Sequence, residues 1–254
     1  MNGKFVIDIS RHNGDINWAK VKKAGCYGAI CRCGFGNNTT RQDDENFKKN
    51  MDGAIKQGLN VGVYIYSYAT NKADAKSEAE HTIRLVKQYK DKLSYPIYYD
   101  VEEERTKANA KEIIKEYCDT LSKNGFKNIG IYANEYWWNT FLKGIDNKNK
   151  WVARYGKNNG KMNEKPSISC DMWQYTDKGK VDGIKGNVDL NVDFVDIPKK
   201  LNSSSRSKKD DNTIAKEVIQ GRWGNGKDRK QRLTKAGYVY NKIQSIVNKL
   251  LRRK

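Results

Sequence analysis

The segment Tyr98-Tyr99-Asp100-Val101-Glu102 ends an apolar run with the composition of a buried strand. Because side chains alternate between the faces of a strand, Asp100 and Glu102 point the same way, roughly 6.6 Å apart along the backbone. Two carboxylates on one face of a buried strand are costly to desolvate unless the protein uses them, which suggests acid chemistry on a sugar. The alternative is a strand that runs into a solvated acidic loop, because Glu103 and Glu104 continue the acidic run.

Strand-like and helix-like segments alternate on both sides of this segment. The repeat of about 30 residues is typical of a parallel sheet that closes into a barrel. After residue 150 the helical patterns thin out, so we predict an α/β fold with an irregular TIM-like β/α barrel. The predicted strands cover residues 4–9, 27–32, 59–68, 97–102, 129–133, 151–155, 170–175 and 188–191.

Four acids fall where predicted strands end, namely Asp8, Asp100, Glu102 and Asp189. In barrels of this kind the reactive residues lie at the carboxyl ends of the strands, so these side chains are expected to meet at one opening. Carboxylates crowded together raise the pKa of at least one of them. A general acid that works near neutral pH needs such a raised pKa.

The chain is strongly basic, and its charge is unevenly distributed. Of the formal net charge of +19, residues 202–254 carry 15 Lys and Arg against 4 Asp and Glu, a net charge of +11, which leaves +8 for residues 1–201. Such a charge favours a polyanionic partner. Nucleic acid, anionic lipid and the acidic polymers of a bacterial wall all satisfy this requirement, so charge alone does not choose among them.

Cysteine and histidine usage argues against a metal site. The five cysteines, in an odd number and without CxxC spacing, and only two histidines predict neither a zinc site nor a disulfide framework. We expect reduced, buried thiols and neither a metal nor a cofactor. The absence of an 18-residue apolar stretch and of a signal-peptide core predicts a protein made in a cytoplasm, without a membrane partner.

Five separated motifs occur in order between residue 4 and about residue 196. They are Phe5-Val6-Ile7-Asp8-Ile9-Ser10, Gly62-Val63-Tyr64-Ile65-Tyr66, Tyr98-Tyr99-Asp100-Val101-Glu102, Gly130-Ile131-Tyr132, and Trp173-Gln174-Tyr175 followed by Gly186-Asn187-Val188-Asp189. Together they resemble glycoside hydrolase family 25 muramidases of the phage endolysin type. The resemblance implies hydrolysis of the β-1,4 bond between N-acetylmuramic acid and N-acetylglucosamine in the peptidoglycan of a Gram-positive host, after release of the protein to the wall.

The resemblance also implies roles for the acids. Glu102 is expected to be the general acid, and Asp100 to polarise the 2-acetamido group of the substrate, which would then attack the anomeric carbon with net retention. A carboxylate nucleophile stays open, because backbone spacing does not fix the distance between the carboxyl groups. Asp8 and Asp189 are expected to support the charge of the cleft. In this interpretation Glu103 and Glu104 are ordinary loop acids.

Aromatic residues within the same motifs are expected to line the sugar subsites. Aromatic side chains offer flat apolar faces to a sugar ring, but residues of this kind on strands are also common in the core. Packing in the core is therefore the alternative for each of them. The residues are Tyr64, Tyr66, Tyr132 and Trp173.

The last part of the chain predicts a separate module. We expect a catalytic domain at 1–200, a polar linker at 201–211 and a small three-helix bundle at 212–254. The bundle resembles a Cpl-7-type cell-wall-binding repeat, with Arg222, Trp223 and Arg232 as candidate wall-binding residues. Their alternative roles are core packing for Trp223 and simple solvation for the arginines. Because the chain has a single copy of the repeat, we hypothesise avidity through a homo-oligomer or through the catalytic cleft.

Two other functions fit parts of the sequence. A chitinase-like glycosidase also places Asp and Glu two residues apart on a barrel strand. That class normally has a longer acidic run that ends in the catalytic Glu, with Gly and Asp before it, and the segment Ile97-Tyr98-Tyr99 lacks this feature. A nucleic-acid-binding protein fits the charge, but acids at the barrel opening would repel phosphate, so no nucleic-acid partner is expected. A wall-binding protein with an inactive barrel is disfavoured by the presence of both Asp100 and Glu102.

Overall fold

The computed structural model describes residues 3–146, 148–205 and 209–252. The chain divides into two compact units, Met1–Ser203 and Ser204–Lys254, and the division lies inside the segment predicted to be a linker. Part of that segment is helical, because a helix covers Ile197–Ser205. Residues 206–208 of the predicted linker lie outside the described residues.

The first unit is a closed barrel of eight strands that follow one another around the barrel in chain order. Strands β1 to β7 run parallel, and β8 runs antiparallel to both of its neighbours, β7 and β1. The prediction of an irregular TIM-like barrel is confirmed. The strands are β1 Lys4–Ile9, β2 Gly28–Phe35, β3 Asn60–Tyr66, β4 Leu93–Asp100, β5 Ile129–Asn134, β6 Asn149–Ala153, β7 Met172–Gly179 and β8 Val188–Asp193.

Helices occupy the connections of the first part of the barrel and become scarce in the second. No helix occurs in residues 154–171, all of which the structure describes, so the predicted thinning of helices after residue 150 is confirmed. The α-helices of this unit are α1 Trp18–Lys23, α2 Phe47–Lys56, α3 Lys72–Val86, α4 Ala110–Lys123, α5 Glu135–Asn139 and α6 Ile197–Ser205. Short 3-10 helices cover Arg11–Asn13, Thr40–Gln42, Lys87–Lys92 and Glu104–Asn109.

Two apolar layers lie on opposite faces of the strands. The outer layer joins the strands to the helices and contains Tyr99 and Val101. The second cluster fills the barrel interior, where the rings of Tyr98 and Trp151 meet edge to face at 5.0 Å. Gly130 leaves room for the Tyr98 ring, since a Cβ at that position would lie 2.4 Å from a ring carbon. The interior cluster consists of Val6, Ile30, Tyr95, Tyr98, Tyr132, Trp151, Ala153, Met172 and Ile197, with Leu201 packed against it.

All five cysteines lie within the described residues, and all are free thiols. Four are buried, whereas Cys170 is half-buried, so the expectation of buried thiols applies to four of them. Burial raises the pKa of the Cys26 thiol to about 11, which keeps it protonated and poorly nucleophilic. Within the described part of the chain, no helix combines the length and the apolar character needed to span a bilayer.

After the end of α6, the described residues 209–252 of the second unit form three helices, α7 Asp211–Ile219, α8 Gly226–Lys235 and α9 Tyr240–Leu251. Asp210 caps α7 by accepting a hydrogen bond from the backbone N of Thr213 at 2.9 Å. The rings of Trp223 and Tyr238 pack edge to face at 5.9 Å against the core of the unit. That core contains Ile214, Ala215, Val218, Leu233, Ile243 and Val247.

Candidate active site

Asp100 and Glu102 share the inner side of β4. Asp100 is the last residue of the strand, and Glu102 follows two residues later. Tyr99 and Val101, which alternate with them, lie in the outer layer. The backbone N of Val101 donates to Tyr132 O at 3.0 Å, so the pairing with β5 continues one residue past the strand and holds Glu102 in place.

Asp8 and Asp189 face each other across the seam between β1 and β8, as direct partners in the strand register. Asp8 lies near the carboxyl end of β1. Asp189, however, lies at the amino end of β8, which corrects the prediction that it ends a strand. Because β8 is antiparallel, its amino end lies at the same opening as the carboxyl ends of the parallel strands. Strand direction therefore brings Asp189 to the expected place by the opposite route.

Gln174 connects Asp8 and Asp189 to the hydroxyls of two tyrosines, and sequence reasoning missed this residue. Its Nε2 donates to Asp8 Oδ2 at 3.0 Å and lies 3.3 Å from Asp189 Oδ2. Its Oε1 accepts from the hydroxyls of Tyr132 at 2.7 Å and Tyr155 at 2.8 Å. A signal was present, because strand alternation puts Gln174 on the face opposite its neighbour Trp173.

Burial raises the pKa of both Asp8 and Asp189. Hydrogen bonds from Asn191, at 2.7 Å, and Gln174 oppose the rise for Asp8. Burial and the neighbouring Asp8 raise the pKa of Asp189 to about 9. Near neutral pH the pair therefore retains a proton.

Glu102 has the pKa that an acid catalyst needs. Burial raises its pKa to about 7, and Asp8 and Glu103 add to the rise. Burial also raises the pKa of Asp100 well above its usual range, with contributions from Glu102 and Asp8, whereas Arg32 lowers it. A carboxyl with a pKa near 7 holds a proton for a substantial fraction of molecules at neutral pH, as general acid catalysis requires.

Arg32 of β2 is a second candidate site residue that sequence reasoning missed. Its Nε donates to Asp44 Oδ2 at 2.8 Å, and the same oxygen accepts from the backbone N of Arg11 at 2.9 Å. Three buried side-chain polar atoms have no hydrogen-bond partner among the described residues, and two of them, Arg32 Nη2 and Asp100 Oδ1, belong to this site; the third is Arg154 Nε. Unpaired buried groups are costly, and they are retained where a ligand can satisfy them.

Comparisons with known proteins agree with this geometry. The sequence model of glycosyl hydrolases family 25 matches residues 7–184, and that of the CW_7 repeat matches residues 212–251. The chain belongs to glycosyl hydrolases family 25. It is therefore a glycoside hydrolase, and the prediction of a family 25 muramidase with a C-terminal wall-binding repeat is confirmed.

Three relatives illustrate this membership. Lysozyme of Streptococcus phage Cp-7 is 26% identical over 259 residues, which cover 96% of this chain and 69% of the relative. The protein YegX of Escherichia coli O157:H7 is 30% identical over 194 residues, covering 73% of this chain and 68% of its own length. The catalytic domain of endolysin ply40, from bacteriophage P40 of Listeria monocytogenes, superposes with a TM-score of 0.72 at 30% identity, covering 80% of this chain and 98% of the domain.

The predicted aromatic residues of this family 25 barrel occupy different surroundings. Tyr66 is half-buried beside the acids, and its hydroxyl donates to Glu103 Oε2 at 3.0 Å. Tyr64 is half-buried and packs edge to face on Trp151 at 6.2 Å. Tyr132 is only 6% exposed, and its hydroxyl donates a hydrogen bond to Gln174 Oε1. Tyr66 and Tyr64 therefore offer the most surface to a sugar.

Trp173 corrects a prediction. Its indole has no exposed surface, lies in the outer layer, and donates from Nε1 to Arg154 O at 2.8 Å. A fully buried side chain offers no face to a sugar, so Trp173 does not line a subsite. The alternative of core packing, stated for all four aromatic residues, applies to this one.

Glu103 also departs from its expected role. It was expected to be a loop acid like Glu104, but it accepts from the Tyr66 hydroxyl and pairs with Arg105 Nε at 3.4 Å. Glu103 therefore holds the Tyr66 ring at the opening, next to Glu102. Glu104 remains a surface acid, with 79% of its side chain exposed and Lys107 as its ion-pair partner.

The three predicted wall-binding residues line one cleft of about 550 Å³ in the CW_7 unit. Trp223 contributes both to this cleft and to the edge of the core, and its Nε1 donates to Glu217 Oε2 at 3.0 Å. Arg222 lies 4.0 Å from Glu217, and Arg232 Nε donates to Asp228 at 2.9 Å. Trp223 thus packs at the edge of the core and also lines the cleft, and its binding role stays a prediction.

Proposed function

We propose that the chain is an endolysin that hydrolyses the β-1,4 bond between N-acetylmuramic acid and N-acetylglucosamine in peptidoglycan, with net retention at the anomeric carbon. The observation that carries this proposal is the pair formed by buried Asp100, the last residue of β4, and half-buried Glu102 two residues later. Glu102 has a pKa raised to about 7. Asp100 presents an unpaired buried oxygen beside it.

In the first step Glu102 donates its proton to the glycosidic oxygen while the bond from that oxygen to the anomeric carbon breaks. The carbonyl oxygen of the substrate's own acetamido group forms a bond to the anomeric carbon and gives an oxazolinium ion. Asp100 Oδ1 accepts a hydrogen bond from the acetamido N–H, which stabilises the positive charge that develops there. The product with the new non-reducing end then leaves.

In the second step Glu102, now a carboxylate, takes a proton from water as that water attacks the anomeric carbon. The bond to the acetamido oxygen breaks, and the configuration is retained after two inversions. Asp8, Asp189 and Gln174 hold the charge and hydrogen bonds of the cleft in both steps. Direct attack by Asp100 is the alternative, and a trapped covalent glycosyl-enzyme in place of an oxazolinium-derived product would establish it.

The proposed role of the CW_7 unit is to hold the enzyme on its substrate. Peptidoglycan bears carboxylates, which complement the net charge of +11 on residues 202–254. The proposed partner is the wall of a Gram-positive host, reached when the protein is released from the cytoplasm. A single repeat further supports self-association through this unit, and light scattering that gives a strict monomer would remove that part of the proposal.

Digestion of purified peptidoglycan followed by mass spectrometry tests the reaction. N-acetylmuramic acid at the new reducing end is the expected result. N-acetylglucosamine at that end would overturn the muramidase assignment. Release of soluble fragments from chitin at a comparable rate would instead favour the chitinase-like alternative.

A further inference from the structure

Another carboxyl group, that of Glu78, is buried on the outer side of β4, behind the acids of the opening. Glu78 of α3 has 0% exposed surface, and the mechanism above does not use it. A buried carboxylate is costly unless its oxygens are hydrogen-bonded, and a carboxylate built into such a network constrains the groups that donate to it.

The donors to Glu78 come from the ends of two neighbouring strands. The backbone N of Tyr68 donates to Oε1 at 2.7 Å, and the Tyr99 hydroxyl donates to Oε2 at 2.5 Å. The Ser67 hydroxyl lies 2.8 Å from Oε2 and 2.9 Å from the Tyr99 hydroxyl. Ser67 and Tyr68 directly follow β3, whereas Tyr99 belongs to β4. Glu78 therefore joins these two strands at the end where the acids lie.

Two of these donors are connected to Asp100 by the backbone. The backbone N of Ser67 donates to Asp100 O at 3.0 Å. Tyr99 immediately precedes Asp100 and points to the opposite face of the strand. A displacement of Ser67 or Tyr99 consequently moves Asp100, and with it the approach to Glu102 two residues later.

The ring of Tyr99 is held as firmly as its hydroxyl. It stacks on the ring of Tyr117 with centroids 3.8 Å apart and planes inclined by 6°. The Tyr117 hydroxyl lies 2.9 Å from Thr82 Oγ1, and that oxygen donates to the backbone carbonyl of Glu78 at 2.9 Å. These contacts link Glu78 to Tyr99, Tyr99 to Tyr117, and Tyr117 through Thr82 back to Glu78 on α3.

We propose that Glu78 is a positioning residue, which fixes Asp100 and Glu102 relative to each other from the outer side of β4 through Tyr99 and Ser67. The reason for such a support is geometric, because a misplacement of about 1 Å in an active site can lower the rate on the order of 100-fold. Glu78 touches neither the substrate nor the reacting atoms. The inference rests on the proposed function, since its effect is measured as glycan hydrolysis.

Two variants test the positioning role. Tyr99→Phe removes the hydroxyl and keeps the stacked ring, and Glu78→Gln keeps the size of the side chain while replacing an acceptor by a donor. Each is expected to lower kcat on solubilised peptidoglycan at least about tenfold and to leave KM within about twofold. The double variant is expected to be no slower than the slower single variant, because both changes break the same connection.

Thr120→Val is the matched control. Thr120 is also a buried residue, on α4, and its hydroxyl donates to Glu116 Oε1 at 3.3 Å in a partly buried hydrogen bond, so the change removes a hydrogen bond outside the Glu78 network. Its kcat should equal that of the parent, whatever its melting temperature. If Glu78→Gln fails to fold, Tyr99→Phe and the control decide the outcome.

Several results would overturn the positioning role: parent kcat in the folded variants, losses that multiply in the double variant, or a loss in Thr120→Val as large as that in Tyr99→Phe. Glu102→Gln, assayed in parallel, separates this inference from the proposed function. If Glu102→Gln is inactive while Tyr99→Phe is unaffected, only the positioning role fails. If Glu102→Gln keeps the parent rate, the acid assignment itself fails.

Discussion

Gln174 donates a hydrogen bond from Nε2 to Asp8 Oδ2 at 3.0 Å, and the same amide accepts from two tyrosine hydroxyls through Oε1. Four polar groups of the cleft, the Tyr132 and Tyr155 hydroxyls and the carboxyls of Asp8 and Asp189, therefore depend on one side chain. Removal of a shared partner leaves several buried groups unsatisfied at once, and each such group costs about 1–3 kcal/mol.

Gln174→Leu is accordingly expected to lower both stability and activity. Loss of the amide leaves the two hydroxyls without their acceptor and Asp8 with one donor fewer. Urea unfolding should show a lower midpoint with an unchanged slope, and wall hydrolysis should fall with it. Gln88→Leu is the control, because the Gln88 amide contacts only Leu85 O at the surface. Equal stability in the two variants would contradict the role given to Gln174.

Glu102→Gln is expected to abolish clearing of a suspension of Gram-positive cell walls while the protein folds normally. The amide is nearly the same size as the carboxyl but has no acidic proton to give to the leaving oxygen. Loss of general acid catalysis typically costs on the order of 100- to 10,000-fold in rate. Glu104→Gln is the matched control, since Glu104 is an exposed acid on the same loop. Clearing at the parent rate by Glu102→Gln would refute the acid assignment.

The sequence was sufficient to place Glu102 and Asp100 on one face, because strand alternation is a local property. The same rule did not show which face of β7 lies inside the barrel. Both faces of a barrel strand are buried, so alternation puts Trp173 and Gln174 on opposite faces without showing which of the two faces inward. Because that information was missing, Trp173 was wrongly predicted to line a subsite and the central position of Gln174 was not predicted.

Asp189 was predicted at the barrel opening as a residue that ends a parallel strand, whereas it lies there because it begins the antiparallel strand β8. Short strands of β8 type carry no local signal of direction, and only closure of the sheet between β7 and β1 makes β8 antiparallel. The role of Arg32 was missed for a related cause. Its partner Asp44 lies 12 residues away in a loop, and a contact of that kind depends on tertiary structure.

Hydrolysis is expected to fall as pH rises through about 7, where Glu102 loses the proton that it must donate. Because its pKa is raised above the usual value by burial, the alkaline limb should lie well above that of an ordinary glutamic acid. The dependence of kcat/KM on pH, measured on solubilised peptidoglycan, reports the acid of the free enzyme. A rate that stays constant to pH 9 would contradict this assignment.

Asp189→Asn is expected to stabilise the protein at alkaline pH more than at acidic pH. The pKa of Asp189 is about 9 in the folded protein and 3.8 for an ordinary aspartic acid, so folding binds a proton between these values. The contribution of this group is fully present below pH 3.8 and is lost as pH rises through 9. Asparagine keeps a donor toward Asp8 and does not titrate. Melting temperatures of parent and variant from pH 5 to about pH 9 test this, and an identical pH dependence would refute it.

Deletion of residues 204–254 should weaken pelleting with cell walls while hydrolysis of small soluble substrates, where these are accepted, continues. The boundary follows the division between the two compact units, so the barrel keeps α6 up to Ser203. The deletion also removes the whole net charge of +11 of residues 202–254, because Asn202 and Ser203 are uncharged. Wall binding by the remaining chain should therefore respond less to added salt than that of the parent. Pelleting is measured between 50 mM and about 500 mM salt, because screening of surface charges grows over that range. Equal pelleting by both chains at low salt would assign wall binding to the catalytic cleft instead of the CW_7 unit.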